Sequence, residues 1–149
     1  MNEVVRLERH DVVAIVTVDS PPVNALSAAV RGGIKDCVKR AIADPEVKAI
    51  VLTCAGRTFI AGADITEFGK PPVPPSLHEV LAEIENSPKP VIAAIHGTAL
   101  GGGLEVALAC HYRVATKEAR LGLPEVKLGI CRAPAARSAC RARWDRNWQ

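Results

Sequence analysis

Val12, Ala14, Val16 and Val18 alternate along one face of a short run, and Val13 and Ile15 make its other face apolar too. Period two predicts a strand, and apolar residues on both faces predict that both are covered. A similar run, "VVRLER", precedes it across a turn at His10 and Asp11, so the chain opens with a hairpin. The period then lengthens. Ser27 stands as a helix cap, and Val30, Ile34, Cys37, Val38, Ala41 and Ile42 fall on one face of a helix weakened by Gly32 and Gly33. "KAIVLTC" reads as a buried strand. Ser76 and Glu79 then form a capping box for a helix with Leu77, Val80, Leu81 and Ile84 inward. Pro88 and Pro90 close that helix and Val91 to Ile95 form the next strand. The stretch "HGTALGGGLEVALAC" follows as a tight glycine turn and a buried helix carrying Val106, Leu108 and Ala109. Strands alternating with helices predict an α/β protein with parallel strands joined by crossovers. Ligands are then expected at the carboxyl ends of the strands.

The length of 149 residues fits one domain. The N-terminus mixes acids and bases, and no apolar run approaches bilayer length, which predicts a cytosolic protein with no membrane partner. Cys37, Cys54, Cys110, Cys131 and Cys140 are odd in number and lack paired spacing, so neither a disulfide framework nor a metal site is expected. The net charge of +3 hides a break. Residues 131–149 hold five arginines and one aspartate, leaving residues 1–130 at −1. A basic end with both tryptophans, Trp144 and Trp148, admits a nucleic-acid arm as one reading.

Two loops stand at strand ends. "FIAGAD" follows the "VLTC" strand and "GTALGGG" follows "VIAAI". Each offers small residues whose N–H groups could point outward, and two such donors on one oxygen make an oxyanion hole. Glycines at a helix mouth allow close approach of an anion to the helix N-terminus, but equally allow close packing of helix on strand. "GTALGGG" lacks the spacing and downstream acid of a dinucleotide fingerprint. His96 and His111 read as structural or surface residues.

"RTFIAGADITEF", "PKPVIAAIHGTALGGGLEVALACHYRVA" and "ARLGLPEVKLGI", in that order, resemble the crotonase (enoyl-CoA hydratase/isomerase) family, and within it the hydratase portion of bifunctional fatty-acid β-oxidation enzymes. The resemblance implies repeated ββα units with a parallel sheet. It also implies an acyl-CoA thioester substrate, with coenzyme A arriving as part of that substrate and no separate cofactor or metal. By motif position, the donors to the thioester oxygen are the N–H groups of Ala63 and Gly102. Glu105 and Glu125 match the two glutamates of hydratases, Glu105 orienting the attacking water and Glu125 exchanging the α proton. Ala25 and Leu26 match the nucleotide-binding loop, with Ala61 and Gly62 beside them. Isomerases of the family commonly dispense with one glutamate, so both glutamates favour hydration over isomerisation, which stays the alternative enzyme reading. A non-catalytic acyl-CoA-binding or RNA-binding homologue stays the alternative outside enzymes.

The resemblance runs to Ile130, which sets a core at residues 1–130 and a tail at 131–149. Family members continue with "PGAGGTQRLPR", whereas this chain reads "CRAPAARSACRARWDRNWQ". Permitted codons for the tail, with one C restored before them, translate as LPGAGGTQRLPRAVGPELA, so the tail reads as a one-base frame shift. That reading removes the need for a nucleic-acid arm. It also implies that the C-terminal helical region is missing, which covers the acyl chain and supports a homotrimer in the family. Impaired or absent turnover is therefore expected from the truncated chain, together with exposed apolar surface.

Overall fold

The computed structural model describes residues 4–124; Glu125 and the 131–149 tail lie outside the described residues. The opening hairpin forms as β1 (Val5–His10) and β2 (Val13–Val18), turning at Asp11 with a positive φ of 55°. Ala14, Val16 and Val18 are buried. The opposite face, Val13 and Ile15, is only half-buried, and Val12 lies in the turn 41% exposed, so the expected cover is complete on one face alone. Helix α1 (Ala28–Ala43) starts at Ser27, whose hydroxyl accepts from the Val30 N–H, and buries Val30, Ile34, Cys37, Val38 and Ala41. Gly33 survives in this helix because a Cβ there would stand 2.6 Å from a Val5 methyl. The cost in helix propensity is thus offset by close packing of α1 on β1.

Strand β3 (Ala49–Cys54) lies parallel to β2, and β4 (Val91–Ile95) parallel to β3. Between them come a single 3-10 turn at Ile65–Glu67 and helix α2 (Leu77–Glu85), whose Ser76–Glu79 capping box is complete on both sides. Val80, Leu81 and Ile84 are buried and Leu77 is half-buried.

The glycine stretch differs from a simple strand, turn and helix. A further short strand, β5 (Thr98–Leu100), separates β4 from α3 (Gly102–Ala109). Two more strands follow, β6 (Tyr112–Ala115) and β7 (Arg120–Gly122). The main sheet runs β1-β2-β3-β4-β6, antiparallel only at β1–β2, while β5 and β7 pair in parallel as a second, smaller layer. Isolated parallel bridges extend that layer, Ile60 to Ala99 and Leu26 to Ala63. Strand β6 escapes a pattern reading because its apolar residues face outward: Tyr112 and Val114 are each 64% exposed on a sheet edge.

An edge unpaired among the described residues and carrying apolar side chains is a template for self-association. Val114→Lys is therefore expected to shift the chain toward monomer in sedimentation velocity without lowering its melting temperature. Unchanged self-association would show that this edge is not the contact.

Candidate functional site

The second layer brings the two loops together. Phe59 N–H donates to His96 O (3.0 Å), Ile60 N–H to Thr98 O (3.2 Å) and Leu100 N–H to Ile60 O (3.0 Å), so "FIAGAD" and "GTALGGG" run side by side. Their orientation follows from peptide geometry. Gly62 C=O accepts from Leu26 N–H at 2.9 Å. Ala63 N–H belongs to the same trans peptide and points the opposite way, off the Leu26 side. Gly101 C=O likewise accepts the first helical bond of α3, from Glu105 N–H at 3.0 Å, so the Gly102 N–H points out of the helix mouth.

The three consecutive glycines do three different things. Gly101 takes φ = 51°, ψ = −124° as the cap residue, a conformation open to glycine at little cost. Gly102 supplies the outward N–H, and a Cβ on it would meet only the flexible ends of Leu26 and Leu77, at 2.9 and 3.1 Å. Gly103 packs so tightly on the neighbouring loop that a Cβ would stand 2.2 Å from the Ile60 carbonyl oxygen. Close packing and outward N–H groups thus coexist in one turn, on separate residues.

Glu105 sits in the first turn of α3 and is 6% exposed, with its Oε2 3.9 Å from the position of a Gly102 Cβ. A carboxylate at a helix N-terminus is favoured by the dipole. Strand β7 ends at Gly122, whose carbonyl accepts from Gly101 N–H at 2.9 Å. Glu125 follows three residues later in the sequence.

The residues matched to nucleotide binding fall unequally. Ala25 and Ala61 are half-buried, Gly62 is buried, and Ala61 N–H is engaged by Val23 O at 3.2 Å. Leu26 is 2% exposed, its N–H is taken by Gly62 and its carbonyl by Arg31 Nη1 at 2.6 Å. Leu26 therefore supports the neighbouring loop.

Pattern reading missed two residues that hold the site's loops. Asn24, 3% exposed with φ = 52°, accepts from Ser20 N–H (2.8 Å) and donates to Ala55 O (2.9 Å) and Thr58 O (2.8 Å), tying the "PPVNAL" loop to the one that leads into "FIAGAD". Asparagine two residues after a pair of prolines was the available signal, since it tolerates positive φ and carries both donor and acceptor. At about 1 kcal/mol per bond, Asn24→Ala should lose about 3 kcal/mol in denaturant unfolding. A loss below about 1 kcal/mol would contradict this clamp.

Arg31 is the second. Besides Leu26 O, its guanidinium donates to Pro75 O (2.8 Å), Val73 O (3.0 Å) and Glu67 Oε2 (2.9 Å), while Glu67 Oε1 accepts from Ala28 N–H (2.7 Å). The Arg31 hydrogen bond, and then that of Ala28, hold the Glu67 carboxyl below the usual carboxylate range. Asp64, bonded by Thr66, and Glu79, bonded by the Ser76 N–H, are lowered as well. A folded pKa below the unfolded one stabilises the fold above the unfolded value, about 4.3 for glutamate, and the gain is lost as pH falls through the folded value. Melting temperature is therefore expected to fall with acid below about pH 4.3, and less steeply in Glu67→Gln. Parallel acid profiles for the two chains would contradict the pairing.

The remaining candidates are structural. His96 Nε2 contacts Gly56 O at 2.9 Å and His111 Nδ1 accepts from Val91 N–H at 3.0 Å. Cys37, Cys54 and Cys110 are buried, and burial pushes the Cys54 thiol up, away from thiolate chemistry. Among the described residues no group of three or more His, Cys, Asp and Glu could hold a metal, and no helix is long and apolar enough to cross a membrane.

Solved structures share this fold. The chain superposes on enoyl-CoA hydratase EchA1 from Mycobacterium marinum with a TM-score of 0.86 at 34% identity, covering 95% of this chain and 57% of that one. An enoyl-CoA hydratase/carnithine racemase from Magnetospirillum magneticum gives 0.86 at 31%, with the same coverage. The fold is therefore the crotonase-like α/β class. The sequence model of the enoyl-CoA hydratase/isomerase family matches residues 8–142, twelve residues beyond Ile130. The peroxisomal bifunctional enzyme of Danio rerio is 55% identical over 124 residues, which cover 83% of this chain and 17% of that protein. A probable enoyl-CoA hydratase of Bacillus subtilis is 47% identical over 125 residues, covering 79% of this chain and 48% of that one. This chain belongs to the enoyl-CoA hydratase/isomerase family, and it spans under a fifth of the bifunctional relative and about half of the bacterial one.

Proposed function

We propose that the site is that of an enoyl-CoA hydratase of fatty-acid β-oxidation, adding water to a trans-2-enoyl-CoA. The observation that carries this reading is the pair of N–H groups, Ala63 and Gly102, turned outward from adjacent loops beside the nearly buried Glu105. Both would donate to the thioester oxygen. The enoyl group is then polarised toward an enolate, and its β carbon becomes open to water. Glu105 would orient and deprotonate that water, and Glu125 would deliver the proton to the α carbon. Coenzyme A enters as part of the substrate, along Ala25, Ala61 and Gly62 with Leu26 as their support; the chemistry asks for no separate cofactor or metal.

Turnover by this chain is expected to be impaired. Ile65, Phe68, Val73 and Leu121 are between 53% and 76% exposed, apolar surface that leaves an acyl chain accessible to water. The bifunctional enzyme of Danio rerio is called peroxisomal and the fatty acid beta-oxidation multifunctional protein of Cucumis sativus glyoxysomal, while the Bacillus name carries no organelle. The cytosolic reading is accordingly kept for a cell without those organelles.

The test is hydration of crotonyl-CoA by the 149-residue chain, measured as 3-hydroxybutyryl-CoA formed with protein in excess. Slow hydration is expected, with kcat/KM below about 10⁴ M⁻¹ s⁻¹, the low end for ordinary enzymes. Glu105→Gln and Glu125→Gln should each abolish it. Retention of hydration by either variant would overturn the two-carboxylate mechanism, and an ordinary enzyme's kcat/KM would overturn the impairment.

A further inference from the structure

We infer that Arg31, which lies outside the acyl-CoA site, is a positioning residue that polarises the Ala63 N–H through an unbroken chain of peptide hydrogen bonds. The inference rests on the reading of Ala63 as a donor to the thioester oxygen. Arg31 Nη1 donates to the Leu26 carbonyl at 2.6 Å. That carbonyl shares a peptide with the Ser27 N–H, which donates to Ala25 O at 2.8 Å. The Ala25 carbonyl shares a peptide with the Leu26 N–H, which donates to Gly62 O at 2.9 Å. The Gly62 carbonyl shares a peptide with Ala63 N–H. Three peptide units, each accepting at one end and donating at the other, thus link a guanidinium to the oxyanion donor.

All three dipoles point the same way, and a cation at the head of such a chain draws electron density from each peptide in turn. Hydrogen bonds polarised in series strengthen one another, and a first link made by an ionised donor is stronger than a neutral one. The guanidinium is held for this by three further acceptors, Pro75 O, Val73 O and Glu67 Oε2, and its side chain is 12% exposed, so water screens it little. The Glu67 carboxylate partly offsets the charge. Arg31 touches no residue's donor to substrate and no reacting atom; it acts only through the chain.

The experiment binds 4-dimethylaminocinnamoyl-CoA to the 149-residue chain and reads the absorption maximum of the bound thioester at saturation, alongside its Kd and the melting temperature. This push–pull chromophore shifts to the red as its carbonyl oxygen is polarised. Arg31→Gln removes the charge, whereas Arg31→Lys keeps it and loses the fork of contacts. The expected result is a shift reduced by roughly a tenth in Arg31→Gln and restored in Arg31→Lys, even though both melt lower than the parent, since polarisation in series strengthens each bond by about 10–30% and Ala63 is one of two donors. Equal shifts in parent and Arg31→Gln would overturn the relay. So would shifts that follow melting temperature in both variants, the signature of a purely structural role. Glu67→Gln keeps the cation and removes its counter-charge, so its shift should be at least that of the parent even where Arg31 variants fail to fold; a smaller shift there overturns the relay. A parent that binds with no shift at all overturns the donor reading itself, and the relay with it.

Discussion

Gly102→Pro should markedly reduce the red shift of a bound enoyl thioester, leaving the part owed to Ala63, and cut crotonyl-CoA hydration by a factor of 10² to 10³, roughly the effect of losing one oxyanion donor. Proline has no N–H, and its ring carbon would stand where that hydrogen pointed. The substitution is otherwise mild, because Gly102 is the first helical residue of α3, where proline is well tolerated. Gly102→Ala is the matched control. It adds the same Cβ, which meets only the movable ends of Leu26 and Leu77, and keeps the donor. Alanine should therefore hold the spectral shift that proline diminishes. Equal loss in both would mean that the Cβ, and not the N–H, is what the site cannot accept.

Gly103→Ala should lower stability by about 3 kcal/mol, a fall of roughly 10 °C in melting temperature for a chain of this size. The added methyl would stand 2.2 Å from the Ile60 carbonyl oxygen and 2.7 Å from its Cβ. The Ile60 carbonyl cannot retreat freely, since it accepts the Leu100 N–H that joins the two loops. The two adjacent glycines are thus expected to differ, Gly102 limiting hydration and Gly103 limiting folding. Circular dichroism melts of the two alanine variants check the contrast. Equal melting temperatures for Gly102→Ala and Gly103→Ala would contradict it.

Much of this frame was legible in the chain because it obeys strong local rules. The alternation of Ala14, Val16 and Val18, the 3.6-residue spacing of Val30, Ile34, Cys37 and Val38, and the Ser76–Glu79 box each correspond to an element found in the structure. Strand β5 was hidden because "TAL" is three residues long and carries no alternation of its own; it exists because Ile60 and Leu121 pair on either side of Ala99. Strand β6 was hidden for the opposite reason, its apolar residues lying on the exposed face. Both depend on pairing partners far along the chain, and no window of sequence contains them.

The site divides similarly. Glycine-rich turns after two strands point to donors, and the family resemblance assigns which residues they are. What neither route exposes is the support. Asn24 reads as an ordinary loop residue and Arg31 as an ordinary helix-surface cation. Only the fold shows three bonds converging on one and four acceptors on the other. Leu26, which the resemblance places beside the nucleotide, also ties the two loops together through its N–H and its carbonyl.

The central claim is that Ala63 and Gly102 jointly grip a thioester oxygen. Its most direct test is the absorption spectrum of 4-dimethylaminocinnamoyl-CoA titrated with the 149-residue chain, since it reads carbonyl polarisation whether or not turnover follows. The account predicts a saturable red-shifted band that Gly102→Ala retains in full and Gly102→Pro shifts markedly less. Saturable binding with an unshifted band, or no binding at all, would contradict it.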